Sequence, residues 1–400
     1  MRTYRYAVVG AGGIGSAAAY WLSRLAGGGD GVVCLEQWEL GHDRGASEDH
    51  SRIIRLGYHA TRYTALTRSA YAAWRAVEAE SGVPLILTTG ALNVGRPGTE
   101  GGAILDAYVE AMDAQDIPFE RLDAAEAAAR WPQFRIPEDH EALFQPDGGI
   151  LDIRRGGAVH RALARARGAT VLAHAGVTAI RPVPGGVELD TAAGKLRAER
   201  VVMCAGAWNR GLLAQLGVDW PIALTTQQVT YFATPNLRAF APDRFPIWIW
   251  HGEGADEYYG FPVYGEVATK AALDLGGPPA DVDDPASWEP DPAQVRQVAG
   301  FLDEVLPGYA GPELRTRCCL YDMPPDRDFV LDLVPGHERI AVAVGAGHAA
   351  KFAGVIGRAM AELAHEGGTE LPIAPFAAGR PALADPAYRP AYRLGGVPAT

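Results

Sequence analysis

The chain has 400 residues, 48% of them hydrophobic and 21% charged, with a formal net charge of −12. That composition excludes a disordered chain, a collagen and a small disulfide scaffold. With no run of Lys or Arg, it also argues against a nucleic-acid or anionic-membrane partner. The length allows two or three domains.

The first 40 residues alternate strand, turn, helix and strand. Tyr4 to Val9 is a short apolar run, Ile14 to Leu25 reads as a helix and Val32 to Glu36 as a second strand, which together make a βαβ unit. The apolar stretch from Ala7 to Leu22 is too rich in glycine for a signal peptide, and no stretch of 18 apolar residues exists elsewhere. Between the first strand and helix, Gly10, Gly12 and Gly15 form G-x-G-x-x-G, with Gly13 and Ile14 inside it. Gly10 permits the tight turn, Gly12 lets a pyrophosphate approach the backbone, and Gly15 lets helix and strand pack closely. Glu36, ending the second strand, is placed to accept from ribose hydroxyls. This motif alone does not separate FAD from NAD.

Further along, Tyr63 to Ser81 shows helical apolar spacing. Gly156 to Arg167 reads as a helix, followed by strands at Thr170 to Ala173 and Val177 to Arg181. Val187 to Asp190 and Lys195 to Ala198 make a hairpin, and Val201 to Ala205 a separate buried strand. The region from about 221 to 275 is strand-rich and reads as an antiparallel sheet. Asp291 caps a helix from Pro292 to Leu306. Ile340 to Val344 is a buried strand, Phe352 to Glu366 a closing helix, and the Pro/Ala-rich end a loosely held tail.

Of the 36 basic residues only Lys195, Lys270 and Lys351 are lysines, so their placement is selective. Cys34 and Cys204 sit in apolar strand-like runs and read as core residues. Cys318 and Cys319 are adjacent, which suits neither an ordinary disulfide nor a metal site. A cytoplasmic, metal-free protein is expected.

Several segments carry a resemblance: Ser51-Arg52-Ile53-Ile54-Arg55, Tyr259-Gly260-Phe261-Pro262, Lys270, Cys319-Leu320-Tyr321, and Gly345-Ala346-Gly347-His348-Ala349-Ala350-Lys351-Phe352. In this order and spacing the chain resembles the monomeric sarcosine oxidase and N-methyltryptophan oxidase family, FAD enzymes within the D-amino-acid oxidase superfamily. The resemblance implies an α/β (α+β) fold, a Rossmann-type FAD-binding domain with an inserted antiparallel-sheet substrate domain. The division it implies is FAD-binding segments at 1–90, 146–220 and 323–385, substrate segments at 91–145 and 221–322, and a tail at 386–400.

The resemblance also implies the chemistry. Hydride passes from carbon next to nitrogen of a secondary amino acid to the flavin, the imine hydrolyses, and oxygen reoxidises the cofactor to give peroxide. Cys319 falls on the position joined through sulfur to FAD. Because alternate strand residues face opposite ways, Cys318 would then be excluded. Arg55 and Lys351 fall on the carboxylate-holding positions, with Tyr259 beside the substrate. Lys270 matches the lysine that promotes reaction with oxygen, and Arg52 and His348 lie near the ring. The implied FAD contacts are Gly10, Gly12, Gly13, Ile14, Gly15, Glu36, Ser47, Ser51, Arg52, Val177, Gly206, Trp208, Cys319, Gly345, Gly347, His348 and Lys351. Partners are a small amino acid and oxygen, and the family leans to a monomer. Two departures bear on the substrate. Glu48 and the residues beside it replace a His-His pair, and Asp274 replaces a His four residues after Lys270. An oxidase of cyclic imino acids such as pipecolate is the alternative within the superfamily, and a nicotinamide-dependent dehydrogenase is the alternative outside it.

Overall fold

The computed structural model describes residues 1–390 except 48, 255, 275 and 276. Glu48 and most of the expected tail therefore lie outside the described residues.

The apolar run at the start forms the strand Arg2–Val9, flanked in parallel by Val32–Leu35 and Gly194–Met203. These three lie inside an eight-stranded sheet that also takes in Thr170–Leu172, Val177–Val183, Gly186–Thr191, Val330–Val334 and His337–Val344. Parallel strands covered on both faces need apolar residues at every position, and the first strand shows why. Tyr6 and Val8 point into a core shared with the helices Gly13–Leu25, Thr61–Ser81 and Ala353–Glu366. Ala7 and Val9 point the opposite way, to Leu212, Leu213 and Val342. The expected hairpin arm and the buried strand after it are one continuous strand, Gly194–Met203. It pairs antiparallel to Gly186–Thr191 along its first half and parallel to Arg2–Val9 along nearly its whole length, so no break is favoured near Glu199.

A second eight-stranded sheet runs in the order Glu313–Met323, Ala223–Phe232, Thr269–Asp274, Glu257–Phe261, Ile247–His251, Ala91–Gly95, Glu141–Gln145, Glu120–Asp123. One face carries Phe232, Trp248, Trp250, Tyr258, Ala271 and Leu273, packed against Val295, Val298 and Leu302 of the helix Pro292–Val305. The other face looks into the cavity described below. A small sheet of Arg52–Ile54, Gly149–Leu151 and Ile86–Thr88 lies apart from both. The fold is mixed α/β, and no helix among the described residues is long and apolar enough to cross a membrane.

Tyr309 ties the second sheet together where the site needs it. Its fully buried hydroxyl accepts from the Phe261 N–H at 2.9 Å and lies 2.6 Å from the Phe261 carbonyl and 2.8 Å from the Lys270 carbonyl. Phe261 and Lys270 are register partners. Tyr309→Phe strands a buried N–H and is expected to lower stability by about 1–3 kcal/mol. Urea unfolding measures this, and an unchanged midpoint would show that the hydroxyl is not holding the strands.

Candidate active site

One long cavity of about 520 Å³ runs from the glycine turn to the second sheet. At its first end Gly10 has φ +93°, and a Cβ there would lie 2.5 Å from the Cys204 carbonyl, so the turn requires glycine. A Cβ on Gly15 would lie 1.9 Å from the Gly10 carbonyl, which fixes the close packing of helix on strand. Gly12 differs. Its φ is −67°, and a Cβ there meets nothing nearer than Ser47 Oγ at 3.4 Å. The chain's own packing leaves that space to the cavity, directly before the N-terminus of the helix Gly13–Leu25, where anions are favoured. The Gly13 N–H is met by Ser47 Oγ at 2.8 Å. Glu36 accepts from the backbone N–H groups of Ala11, at 2.9 Å, and Gln37, at 2.8 Å, and lies 3.2 Å from His42 Nε2. Burial would raise its pKa, but His42 and these N–H groups outweigh it and hold it down. Val177, Gly206 and Trp208 complete this end. A turn with open space over Gly12, a helix N-terminus and a fixed carboxylate fit the pyrophosphate and ribose of FAD.

At the middle of the cavity, Cys319 opens onto it and Cys318 does not. The pairing register explains this. Cys319 lies opposite Gln227, which also lines the cavity, whereas Cys318 lies opposite Gln228, whose amide bonds Asp291 on the far side. Burial raises the Cys319 thiol, while Arg52 and Lys270 pull it down. Lys270 is 2% exposed, and its ammonium donates to Asp49 Oδ2 at 2.8 Å, to the Ser51 carbonyl at 2.8 Å and to Ser51 Oγ at 3.1 Å. Asp49 also accepts from Arg52 Nη1 at 3.1 Å and from the Tyr231 hydroxyl. Burial opposes the Asp49 charge, but Lys270 and Arg52 hold it far below the usual carboxylate range. For Lys270, burial pulls the pKa down, Asp49 pushes it back and Arg52 pulls again, leaving it at about 8.

Beyond lies a chamber into which Arg55 and Lys351 project, with Arg327, Glu257 and Asp274 also in its wall. Arg55 is 7% exposed, sandwiched by Tyr58 and Tyr108 with its guanidinium carbon 5.0 and 5.2 Å from their ring centres. Its Nη1 donates to Asn93 Oδ1 at 3.5 Å, and its Nε has no hydrogen-bond partner among the described residues. Lys351 donates to the Tyr58 hydroxyl and to the His348 carbonyl, both at 3.2 Å. Neither cation has a carboxylate within ion-pair distance among the described residues. Burial and the Arg55 charge push Lys351 well below its ordinary pKa. His348 has both ring nitrogens engaged, Nε2 with the Arg327 carbonyl at 3.0 Å and Nδ1 with the Tyr58 hydroxyl at 2.8 Å. A carbonyl only accepts, so Nε2 carries the proton and Nδ1 accepts from Tyr58. Burial and the Arg327 and Lys351 charges keep the ring neutral.

The structure thus brings Gly10, Gly12, Gly13, Ile14, Glu36, Ser47, Arg52, Arg55, Val177, Gly206, Trp208, Tyr259, Lys270, Cys319, Gly345, Gly347, His348 and Lys351 to one cavity. Gly15 and Ser51 do not line it. Gly15 packs against Gly10, and Ser51 serves Lys270. Sequence reasoning passed over Asp49, Glu257, Tyr321 and Arg327. Arg327, at φ +58° in the turn after Glu313–Met323, pairs with Asp274 and lines the chamber. Asp322 accepts from Gly345 N–H at 3.4 Å and helps fix the Gly345–Gly347 turn, where a Cβ on Gly347 would strike the Tyr321 ring at 2.2 Å.

The comparisons agree with this geometry. The profile of the DAO family, described as FAD dependent oxidoreductase, matches residues 5–363. A monomeric sarcosine oxidase of Bacillus sp. (strain NS-129) is 31% identical over 382 residues, covering 94% of this chain and 96% of the relative. An N-methyl-L-tryptophan oxidase of Salmonella arizonae is 30% identical over 375 residues, covering 93% and 98%. Among solved structures, NikD, an amino acid oxidase of nikkomycin biosynthesis, superposes with a TM-score of 0.82 at 30% identity, covering 94% of this chain and 98% of that one. FAD therefore displaces the nicotinamide alternative that the glycine motif left open, and the chain belongs to the monomeric sarcosine oxidase and N-methyltryptophan oxidase family of FAD-dependent oxidoreductases.

Proposed function

We propose that the protein oxidises a secondary amino acid, N-methyl or cyclic, at its carbon–nitrogen bond and delivers the electrons to oxygen as hydrogen peroxide. The observation that carries this is the pair of enclosed cations, Arg55 and Lys351, which face one chamber with neither of them within ion-pair distance of a carboxylate among the described residues. An uncompensated buried cation is costly, and a substrate carboxylate relieves two at once. The guanidinium fork fixes its plane and the ammonium adds a point charge. Tyr58 orients the Lys351 end, held in turn by His348. Bound FAD supplies the hydride acceptor and the route to oxygen. The substrate loses a hydride from carbon and a proton from nitrogen, and water hydrolyses the imine.

Around the reacting end, Tyr259 forms the wall and Arg52 and Lys270 supply positive charge, with Asp49 fixing both heads. Cys319 is the attachment point of FAD in this reading, supported by its facing the cavity where Cys318 does not. We assign the FAD-binding role to segments 1–90, 146–220 and 323–385 and the substrate role to 91–145 and 221–322. A cytoplasmic monomer completes the reading, and the four free cysteines support a reducing compartment.

The direct test is anaerobic mixing with N-methyl and cyclic amino acids. Bleaching of the flavin followed by peroxide on aeration is expected, and no bleaching across the panel would overturn the proposal. Lys270→Met should slow peroxide formation strongly and bleaching little. The opposite pattern would make Lys270 a substrate residue.

Covalent attachment is tested by acid precipitation. Cys319→Ser should release the flavin to the supernatant and Cys318→Ser should retain it. Release from the unsubstituted protein would remove the covalent claim.

The carboxylate clamp makes a pH prediction. Burial and the Arg55 charge depress the Lys351 pKa in the open chamber, and a bound anion raises it again. Acetate should therefore bind with proton uptake, and its affinity should fall as pH rises through the depressed pKa. Calorimetry in buffers of different ionisation enthalpy reads this directly. Arg55→Ala should weaken acetate binding by about 30-fold or more. Equal affinity in that variant would mean that another group holds the carboxylate.

A further inference from the structure

The far end of the chamber carries a charge pattern that a bare carboxylate and amine do not use. On the strand Glu257–Phe261, Glu257, Tyr259 and Phe261 face the cavity. Glu257 lies opposite His251 on one neighbouring strand and opposite Asp274 on the other. His251, Glu257 and Asp274 therefore form one row across three strands. Lys270 lies four residues before Asp274 on the same strand, so the row sits about 13 Å along the sheet from the oxygen-side lysine.

Two carboxylates directly opposite each other repel. Asp274 is neutralised by Arg327. Glu257 is less well provided for. Its one ion-pair contact among the described residues is His251 Nδ1 at 2.9 Å, which leaves further lone pairs of the carboxylate open. His251 Nε2 lies 3.3 Å from Asn93 Oδ1, the same oxygen that Arg55 approaches. His251 thus lies between Asn93 and Glu257 and is the one side chain within ion-pair distance of the carboxylate among the described residues. Glu257 is thus a carboxylate opening onto the cavity with acceptor capacity to spare. Burial opposes its charge, but His251, Arg55 and Arg327 keep it ionised.

We propose that Glu257 is a specificity residue that receives a positively charged nitrogen on the substrate's side chain, so that the preferred substrate is a basic amino acid. This rests on the amine-oxidase reading above. The α-carboxylate sits on Arg55 and Lys351, and the side-chain cation reaches Glu257 beside Asp274. An acidic side chain would meet two carboxylates. An aliphatic one would strip water from Glu257 and return no hydrogen bond.

The test compares anaerobic flavin reduction by α-N-methyl derivatives of lysine, norleucine and glutamate in the holoenzyme and in Glu257→Gln, which keeps the shape and removes the charge. The expected kcat/KM for the lysine derivative exceeds that for norleucine by about tenfold or more. Glu257→Gln should erase this preference, so that the lysine and norleucine derivatives reduce the flavin alike in the variant. Norleucine or glutamate matching lysine, or a parallel fall for all three in the variant, overturns the inference and leaves the amine-oxidase reading standing. Failure of all three, and of sarcosine and pipecolate, to bleach the flavin overturns both.

Discussion

A β-strand turns successive side chains to opposite faces, and in the second sheet this rule separates stability from chemistry. Trp248, Tyr258, Ala271 and Leu273 go to the helix-covered core, while Ile249, Glu257, Tyr259, Phe261, Lys270 and Asp274 go to the cavity. A slip of one residue would bury Lys270 and Asp274 in an aromatic core and turn the core residues to the cavity. The apolar face therefore sets the register of the charged one. Tyr309 adds a lock at the level of Lys270, where Phe261 and Lys270 meet.

The cavity face then has to carry charge away from bulk water. At the flavin end this is solved internally, because Lys270 and Arg52 share Asp49, and one positive charge remains among the three. At the substrate end it is left open. Arg55 rests on two aromatic faces and Lys351 on a hydroxyl and a carbonyl, contacts that orient a cation without neutralising it. The first arrangement gives a fixed field and the second a site that an anion completes. Both lie in one cavity, so the same enclosure that fixes the field also makes the anion worth binding.

Much of this was legible in the sequence because its signals are local. G-x-G-x-x-G between a strand and a helix gave the dinucleotide end, and the resemblance pointed to Lys270 and Lys351, two of only three lysines in the chain. The resemblance pointed to Cys319 and alternation allowed only one of the two cysteines to face the cavity, and the register with Gln227 and Gln228 puts them on opposite faces. What escaped was through-space pairing. Asp49 meets Lys270 across 221 positions, and Arg327 meets Asp274 across 53. No periodicity announces such pairs, and Arg327 sits in a turn at positive φ, where neither strand nor helix patterning applies. The strand Thr269–Asp274 was likewise not drawn separately, since its alternation of Lys270, Ala272 and Asp274 is not the usual polar-out pattern of a solvent-facing sheet.

Asp274 illustrates how a single side chain acts through such a chamber. Its carboxylate puts a second acid opposite Glu257, and two opposed acids need cations. Arg327 supplies one from across the chamber, and its carbonyl accepts from His348. His348 accepts from Tyr58, and Tyr58 accepts from Lys351. Asp274 is thereby linked, through one arginine and two hydrogen-bonded rings, to the Lys351 ammonium. The two ends of the chamber are therefore not independent: moving Arg327 to release Asp274 would also loosen the ring that holds Tyr58 against Lys351.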